Sequence, residues 1–221
     1  MNEGLDPMRV IVWRFLFLAA SLALGCHQPS DSELFRSAVE EVQAGDSVEI
    51  DARDHPRVDD ADLAGLAGAT HLENLCLDGT SVGDDGAKYI AELPRLKSLS
   101  LSSTRVTDDG VARFAALKEL ESLRLDRTAI SDAGLETLAK LPKLKSISLW
   151  KDHITDAGLE RLGKMSQLRT VSLDETQITD AGLKHLADLK ELDYLSLWNT
   201  KVTDDGVAKL QAELPKLKIN K

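Results

Sequence analysis

At 221 residues, with 43% hydrophobic but only 4% aromatic content, the chain is long enough for one aliphatic-cored domain plus short extensions. Its formal net charge of −10 argues against nucleic acid as a partner, because phosphate binding needs clustered Lys and Arg. Beyond solubility, the acid excess says little more.

The first 26 residues read as a separate message. Arg9 and Arg14 accompany a run from Ile11 to Leu24 that is apolar except for Arg14 and Ser21, and it ends in Ala23-Leu24-Gly25-Cys26. A basic start, a short apolar core and a small residue before the break describe a secretory signal over residues 1–25. Met8 begins a cleaner version of it than Met1, because Glu3 and Asp6 are out of place in a signal. The terminal Gly25-Cys26 resembles a bacterial lipobox, with Ala23 where that family usually has Leu. The resemblance implies lipidation of Cys26 and a membrane-anchored location in the bacterial cell envelope. The alternative is an uncleaved anchor, for which the apolar core is short. With Cys26 lipidated, Cys76 is the only thiol left and no intramolecular disulfide can form.

Residues 26–32 read as a tether containing Pro29, and residues 33–71 as an N-terminal cap. Ser30-x-x-Glu33 has the form of a capping box. Leu34, Phe35, Ala38, Val39 and Val42 make one apolar face at helical spacing, and Gly45 supplies a stop. This helix suits a cap over the open end of a repeat core, the alternative being a membrane or partner surface. Val48-Glu49-Ile50 reads as a short strand, and Val58–Leu72 as a degenerate repeat with a longer turn holding His55-Pro56.

From Leu72 a 24-residue unit recurs six times, starting at Leu72, Leu96, Leu120, Leu144, Leu168 and Leu192. Its consensus is L-x-x-L-x-L-x-x-T-x-V/I-T-D-x-G-L/V-x-x-L, and a fixed period of this length signals stacked repeats. The opening L-x-x-L-x-L ends in the alternation of a strand with one buried face. The T-D-x-G-L-x-x-L half changes to helical spacing. Thr107, Ser131, Thr155, Thr179 and Thr203 stand where a helix N-cap belongs. The aspartate after each (Asp108, Asp132, Asp156, Asp180, Asp204) suits the positive end of the helix dipole, and Lys140, Lys164 and Lys190 suit the negative end. Each unit is strand, turn and short helix, and only stacking can bury its apolar side. At the far end, Gln211–Pro215 carries one residue more than the matching stretch Ala115–Glu119. A lysine-decorated strand at Leu217-Lys218-Ile219 follows, short and charged in a way that discourages edge pairing, so the solenoid is expected to be complete and monomeric.

These residues resemble the leucine-rich repeat, with an I-T-D-A-G-L continuation similar to the cysteine-containing repeats of F-box-type proteins. Thr80, Thr104, Thr128, Thr176 and Thr200 stand at the ninth position, where that family commonly has Asn or Cys, and Asp152 stands there in the fourth unit. The resemblance implies an α/β solenoid, with a parallel sheet on the concave face and helices on the convex face.

Little in the sequence points to catalysis or to a cofactor. A column of aspartates one residue wide supplies too few converging oxygens for calcium, and the five histidines show no zinc spacing. Cys76, on the concave side, reads as a strand residue and not a nucleophile. Arg105 and Arg127 near the turns are weak grounds for a GTPase activator, and export argues against it.

Variation concentrates on the concave positions, where serines dominate. Against them stand Trp150 and Trp198 in one column, two repeats apart and hence roughly 10 Å apart at the backbone. Tyr194 is near Trp198, Asp174 lies between the tryptophans, and Arg124, Arg127 and Lys151 flank them. Trp, Tyr and Arg are enriched at binding hot spots. The alternative is that the tryptophans lie flat and cover the sheet. The expectation is a non-catalytic scaffold that binds a protein or peptide at Arg124, Arg127, Trp150, Lys151, Asp174, Tyr194 and Trp198; the rival is an envelope assembly component with no discrete ligand.

Overall fold

The computed structural model describes residues 29–221. The signal-like segment and Cys26 lie outside the described residues. Helix α1, Asp31–Ala44, opens the described part. Ser30 caps it: its hydroxyl accepts from the Glu33 N–H, and the Glu33 carboxylate accepts from the Ser30 N–H at 2.7 Å. The helix therefore begins two residues before the tether boundary expected from the apolar pattern. Gly45 ends it at φ 83°, a left-handed conformation that glycine takes without a Cβ penalty.

Eight three-residue strands follow, in one parallel sheet whose order is their order in the chain. They are β1 (Glu49–Asp51), β2 (Asn74–Cys76), β3 (Ser98–Ser100), β4 (Ser122–Arg124), β5 (Ser146–Ser148), β6 (Thr170–Ser172), β7 (Tyr194–Ser196) and β8 (Lys218–Asn220). Strand β1 starts one residue later than its alternation suggests, leaving Val48 exposed. Register is one full repeat per strand: Ile50, Leu75, Leu99, Leu123, Ile147, Val171, Leu195 and Ile219 fall in one column. A slip of one residue would turn that apolar column out to solvent, so burial enforces the register.

On the convex side lie α2 (Asp84–Ile90), α3 (Asp108–Val111), α4 (Asp132–Leu138), α5 (Asp156–Leu162), α6 (Asp180–Leu183) and α7 (Asp204–Glu213). After α3 and α6 the chain tightens into 3-10 turns, Ala112–Ala116 and Lys184–Leu186. The degenerate first unit contributes a 3-10 turn, Asp62–Leu66. Its long loop is fastened to the cap, with the Arg57 N–H donating to Asp31 at 2.9 Å. At the other end α7 absorbs the extra residue, and Gln211 Nε2 donates to the carbonyls of Leu214 and Leu217. Between sheet and helices the leucines of every unit are buried, Phe35 and Phe114 being the aromatics among them.

The helix-start aspartates do more than sequence suggests. All but the last, Asp204, reach out of their own unit to the N-cap of the next. Asp156 Oδ1 accepts from the Thr179 N–H at 2.8 Å and Oδ2 from the Thr179 hydroxyl at 2.7 Å. Asp84 with Thr107, Asp108 with Ser131, Asp132 with Thr155, and Asp180 with Thr203 repeat the pattern. The two bonds from Thr203 hold the Asp180 carboxyl below the usual carboxylate range. The glycine two residues beyond each aspartate leaves room for the preceding unit's clamp: a Cβ on Gly182 would sit 2.4 Å from Asp156 Oδ1. Dipole stabilisation alone is worth about 0.3–1 kcal/mol. Losing hydrogen bonds to a charged acceptor costs about 1.5–3 kcal/mol. Asp156→Ala is therefore expected to lower unfolding free energy by about 2 kcal/mol in urea titration; a loss of about 0.5 kcal/mol or less would mean the clamp contributes nothing.

A candidate recognition surface on the concave face

The third, fifth and seventh positions of each unit face the concave side, and the eighth lies in the turn that leaves it. That turn needs a left-handed residue in every unit. Gly79 fills it in the first (φ 71°), and Ser103, Arg127, Lys151, Glu175 and Asn199 fill it in the others (φ 55° to 64°). A non-glycine residue there costs about 1 kcal/mol. Gly79 shows that glycine serves the fold, so Arg127, Lys151 and Glu175 occupy positions where folding does not call for their side chains.

Arg127 and Glu175 meet at Trp150, and Lys151 joins them through Glu175. The Arg127 guanidinium lies 5.6 Å from the Trp150 ring centroid, within range of a cation–π contact. Trp150 Nε1–H donates to Glu175 Oε1 at 3.1 Å, and Lys151 Nζ is 3.7 Å from Glu175 Oε2. The backbone N–H of Trp150 donates to Asp126 Oδ1 at 3.0 Å. Arg124 Nε stands 3.7 Å from Asp126 Oδ2, with most of its side chain in solvent. Trp150 is half-buried and held by Arg127, Glu175 and Asp126, so for this residue the covering role is part of the answer. Glu175 was not among the expected site residues; its shared turn position with Arg127 and Lys151 is the signal that points to it.

Trp198 and Tyr194 are different. They remain 54% and 39% exposed, among the few large apolar side chains in water. Only the backbone of Trp198 is fastened, its N–H donating to Asp174 Oδ1 at 2.6 Å. Asp174 also accepts from the Ser172 hydroxyl at 3.2 Å, so its role here is to support the turn that follows β7. Between the two aromatics Ser196 is buried, its Oγ accepting from Asn220 Nδ2 at 3.1 Å. The surface thus has two parts: a fixed, charged cluster around Trp150 and an open aromatic pair on the last full repeat.

Other candidate chemistry is accounted for by structure. Burial pushes the Cys76 thiol up to about 11, which leaves it protonated and a poor nucleophile. Arg105 spends its guanidinium on the Ser81 carbonyl of the preceding turn, its Nε at 3.0 Å. The column of aspartates, Asp204 excepted, is consumed in separate clamps, and no group of three His, Cys, Asp or Glu suited to a metal occurs among the described residues. No helix among them is long and apolar enough to cross a membrane.

Comparison with known proteins places this geometry. The family model described as "Leucine Rich repeat" matches residues 93–115 and 118–139. The fold is similar to internalin C2 from Listeria monocytogenes str. 4b F2365, at 21% identity and a TM-score of 0.66, over 88% of this chain and 87% of that one. An internalin (inlF) from the same strain is 23% identical with a TM-score of 0.46, over 72% of this chain and 56% of that one, too distant to carry an argument. No curated protein matches the sequence. The chain has the leucine-rich-repeat fold, an open solenoid with a parallel sheet on one face and helices on the other. At such identity the likeness speaks for the fold alone.

Proposed function

We propose that this protein is a non-catalytic scaffold that binds a protein or peptide segment on the concave face of its C-terminal half. The observation that carries this is the exposed pair Trp198 and Tyr194 beside the Arg127–Trp150–Lys151–Glu175 cluster. Exposed tryptophan and tyrosine supply contact area and tend to dominate binding energy. Trp198→Ala is expected to change stability by less than about 0.5 kcal/mol, as surface substitutions do. Affinity capture from a bacterial envelope fraction, compared between wild type and Trp198→Ala/Tyr194→Ala, tests the proposal. Loss of specific partners in the variant is the expected result. Identical partners in both would favour an assembly role without a discrete ligand.

The lipobox-like Gly25-Cys26 supports tethering to the cell envelope as part of the same proposal. Cells expressing the full chain are expected to incorporate radiolabelled palmitate into it, and Cys26→Ser to abolish the label. Label that persists in Cys26→Ser would sink the anchor.

A further inference from the structure

Asp152 is the ninth residue of the fourth unit, where five other units carry threonine. Those threonines donate their hydroxyl to a carbonyl of their own turn, as Thr176 does to Leu173 at 2.6 Å. Asp152 instead reaches back to the third unit. Its Oδ1 accepts from the Thr128 N–H at 2.8 Å and lies 3.1 Å from Thr128 Oγ1. Its Oδ2 is buried without any hydrogen-bond partner, and the residue as a whole is 3% exposed.

What Asp152 holds is the turn that carries Arg127. The Arg127 N–H donates to the Trp150 carbonyl at 2.8 Å, and the next N–H, that of Thr128, donates to Asp152. Two consecutive donors of one turn are thus fastened to the next, directly behind the Arg127–Trp150 stack. The N–H groups of Thr80, Thr176 and Thr200 turn back into their own units instead. We propose that Asp152 positions the Arg127–Trp150 pair, and that loss of its proton loosens that pair and weakens recognition at the concave face.

The groups around Asp152 act in one direction. The carboxylates of Asp126 and Asp108 both disfavour a second negative charge, while the Thr128 N–H and hydroxyl partly offset them. Lys151, its chain neighbour, is directed to Glu175, and His153 on the other side is exposed. Among the described residues no cation pairs with Asp152. Burial, the largest influence, pushes the acid up to about 7. Neutral Asp152 buries no charge, with Oδ1 still accepting from the Thr128 N–H. Charged Asp152 leaves a buried oxygen that only water or an opened turn can satisfy.

The effect on recognition rests on the concave face being the binding surface; the positioning does not. The test therefore reads the pair without a ligand. In the full chain carrying Trp13→Phe and Trp198→Phe, Trp150 is the only tryptophan, and its emission reports its surroundings. A red shift on going from pH 5 to pH 9 with a midpoint near pH 7 is expected. It should vanish in the same background with Asp152→Asn or Asp152→Thr and survive His153→Gln. No transition, or one that persists in Asp152→Asn, would overturn the proposal. If Trp150 titrates as expected but captured partners are indifferent to Trp198 and Tyr194, the positioning stands and the recognition reading fails.

Discussion

Gly163→Ala is expected to destabilise the protein by about 2–3 kcal/mol, the cost of overpacking a site that cannot give way. Local propensity predicts the reverse, since alanine is favoured over glycine in a helix by about 1 kcal/mol. The matching residues of other units, Ala91, Ala115, Ala139 and Ala187, are themselves alanine. The structure overrides both expectations. Gly163 ends α5, and a Cβ there would lie 2.1 Å from the His185 carbonyl oxygen and 3.0 Å from its carbon. These are backbone atoms of the next unit, held by the 3-10 turn Lys184–Leu186, so no side-chain rotation relieves the contact. Urea titration of Gly163→Ala beside Gly65→Ala, where an added Cβ meets nothing within 4 Å, separates close packing from any general effect of losing glycine. Equal midpoints for the two variants would refute the packing argument.

Asp152→Thr is expected to stabilise the protein above neutral pH, and to do so less as pH falls. The sign follows from linkage. An acid whose folded pKa is raised, here from 3.8 to about 7, binds its proton more tightly in the native state. Its cost to stability is absent below the unfolded value, grows as pH rises between the two, and is constant above the folded value. At about 1.4 kcal/mol per pKa unit the full cost is at most roughly 4 kcal/mol, reduced by whatever water reaches the site. Threonine removes the charge and can donate to the Leu149 carbonyl, as its counterparts do in their own turns. Unfolding free energies at pH 5 and pH 8 check this. The gap between variant and wild type should widen by roughly 2–3 kcal/mol toward pH 8, and a gap independent of pH would show that Asp152 does not change charge on folding.

The two predictions mark where the sequence stops being informative. Both concern a residue set against the framework of a neighbouring unit, Gly163 against His185 and Asp152 against Thr128, 22 and 24 positions away in the chain. Periodicity makes such neighbours predictable in general, which is why the strand order, the register and the buried leucine column were all legible from the 24-residue pattern. It does not tell what a departure from the pattern will meet. Asp152 was legible as a departure from threonine, but not as a bond to the preceding unit with one oxygen left over.

The candidate surface divides along the same line. That Trp150 and Trp198 share a column follows from counting residues. Their opposite fates do not: Trp150 is stacked under Arg127 and tied to Glu175, while Trp198 stands in water. The difference comes from which charged residue occupies the turn of the adjacent unit, and side chains of that length are placed by packing and not by register. Likewise the helix-start aspartates were legible as dipole partners, because that effect is local to one helix. Their bonds to the next unit's N-cap needed the stagger between helices, which only the stacked structure sets.

Taken alone, the amino-acid sequence determined the repeat unit, its strand–turn–helix content, the caps and the buried faces, because each depends on spacing within a single turn or strand. Tertiary structure alone decided which polar groups join one unit to the next, which glycines leave room for them, and which aromatics remain exposed. Those outcomes turn on differences of a few tenths of an ångström in the spacing between units, set by close packing of the whole stack.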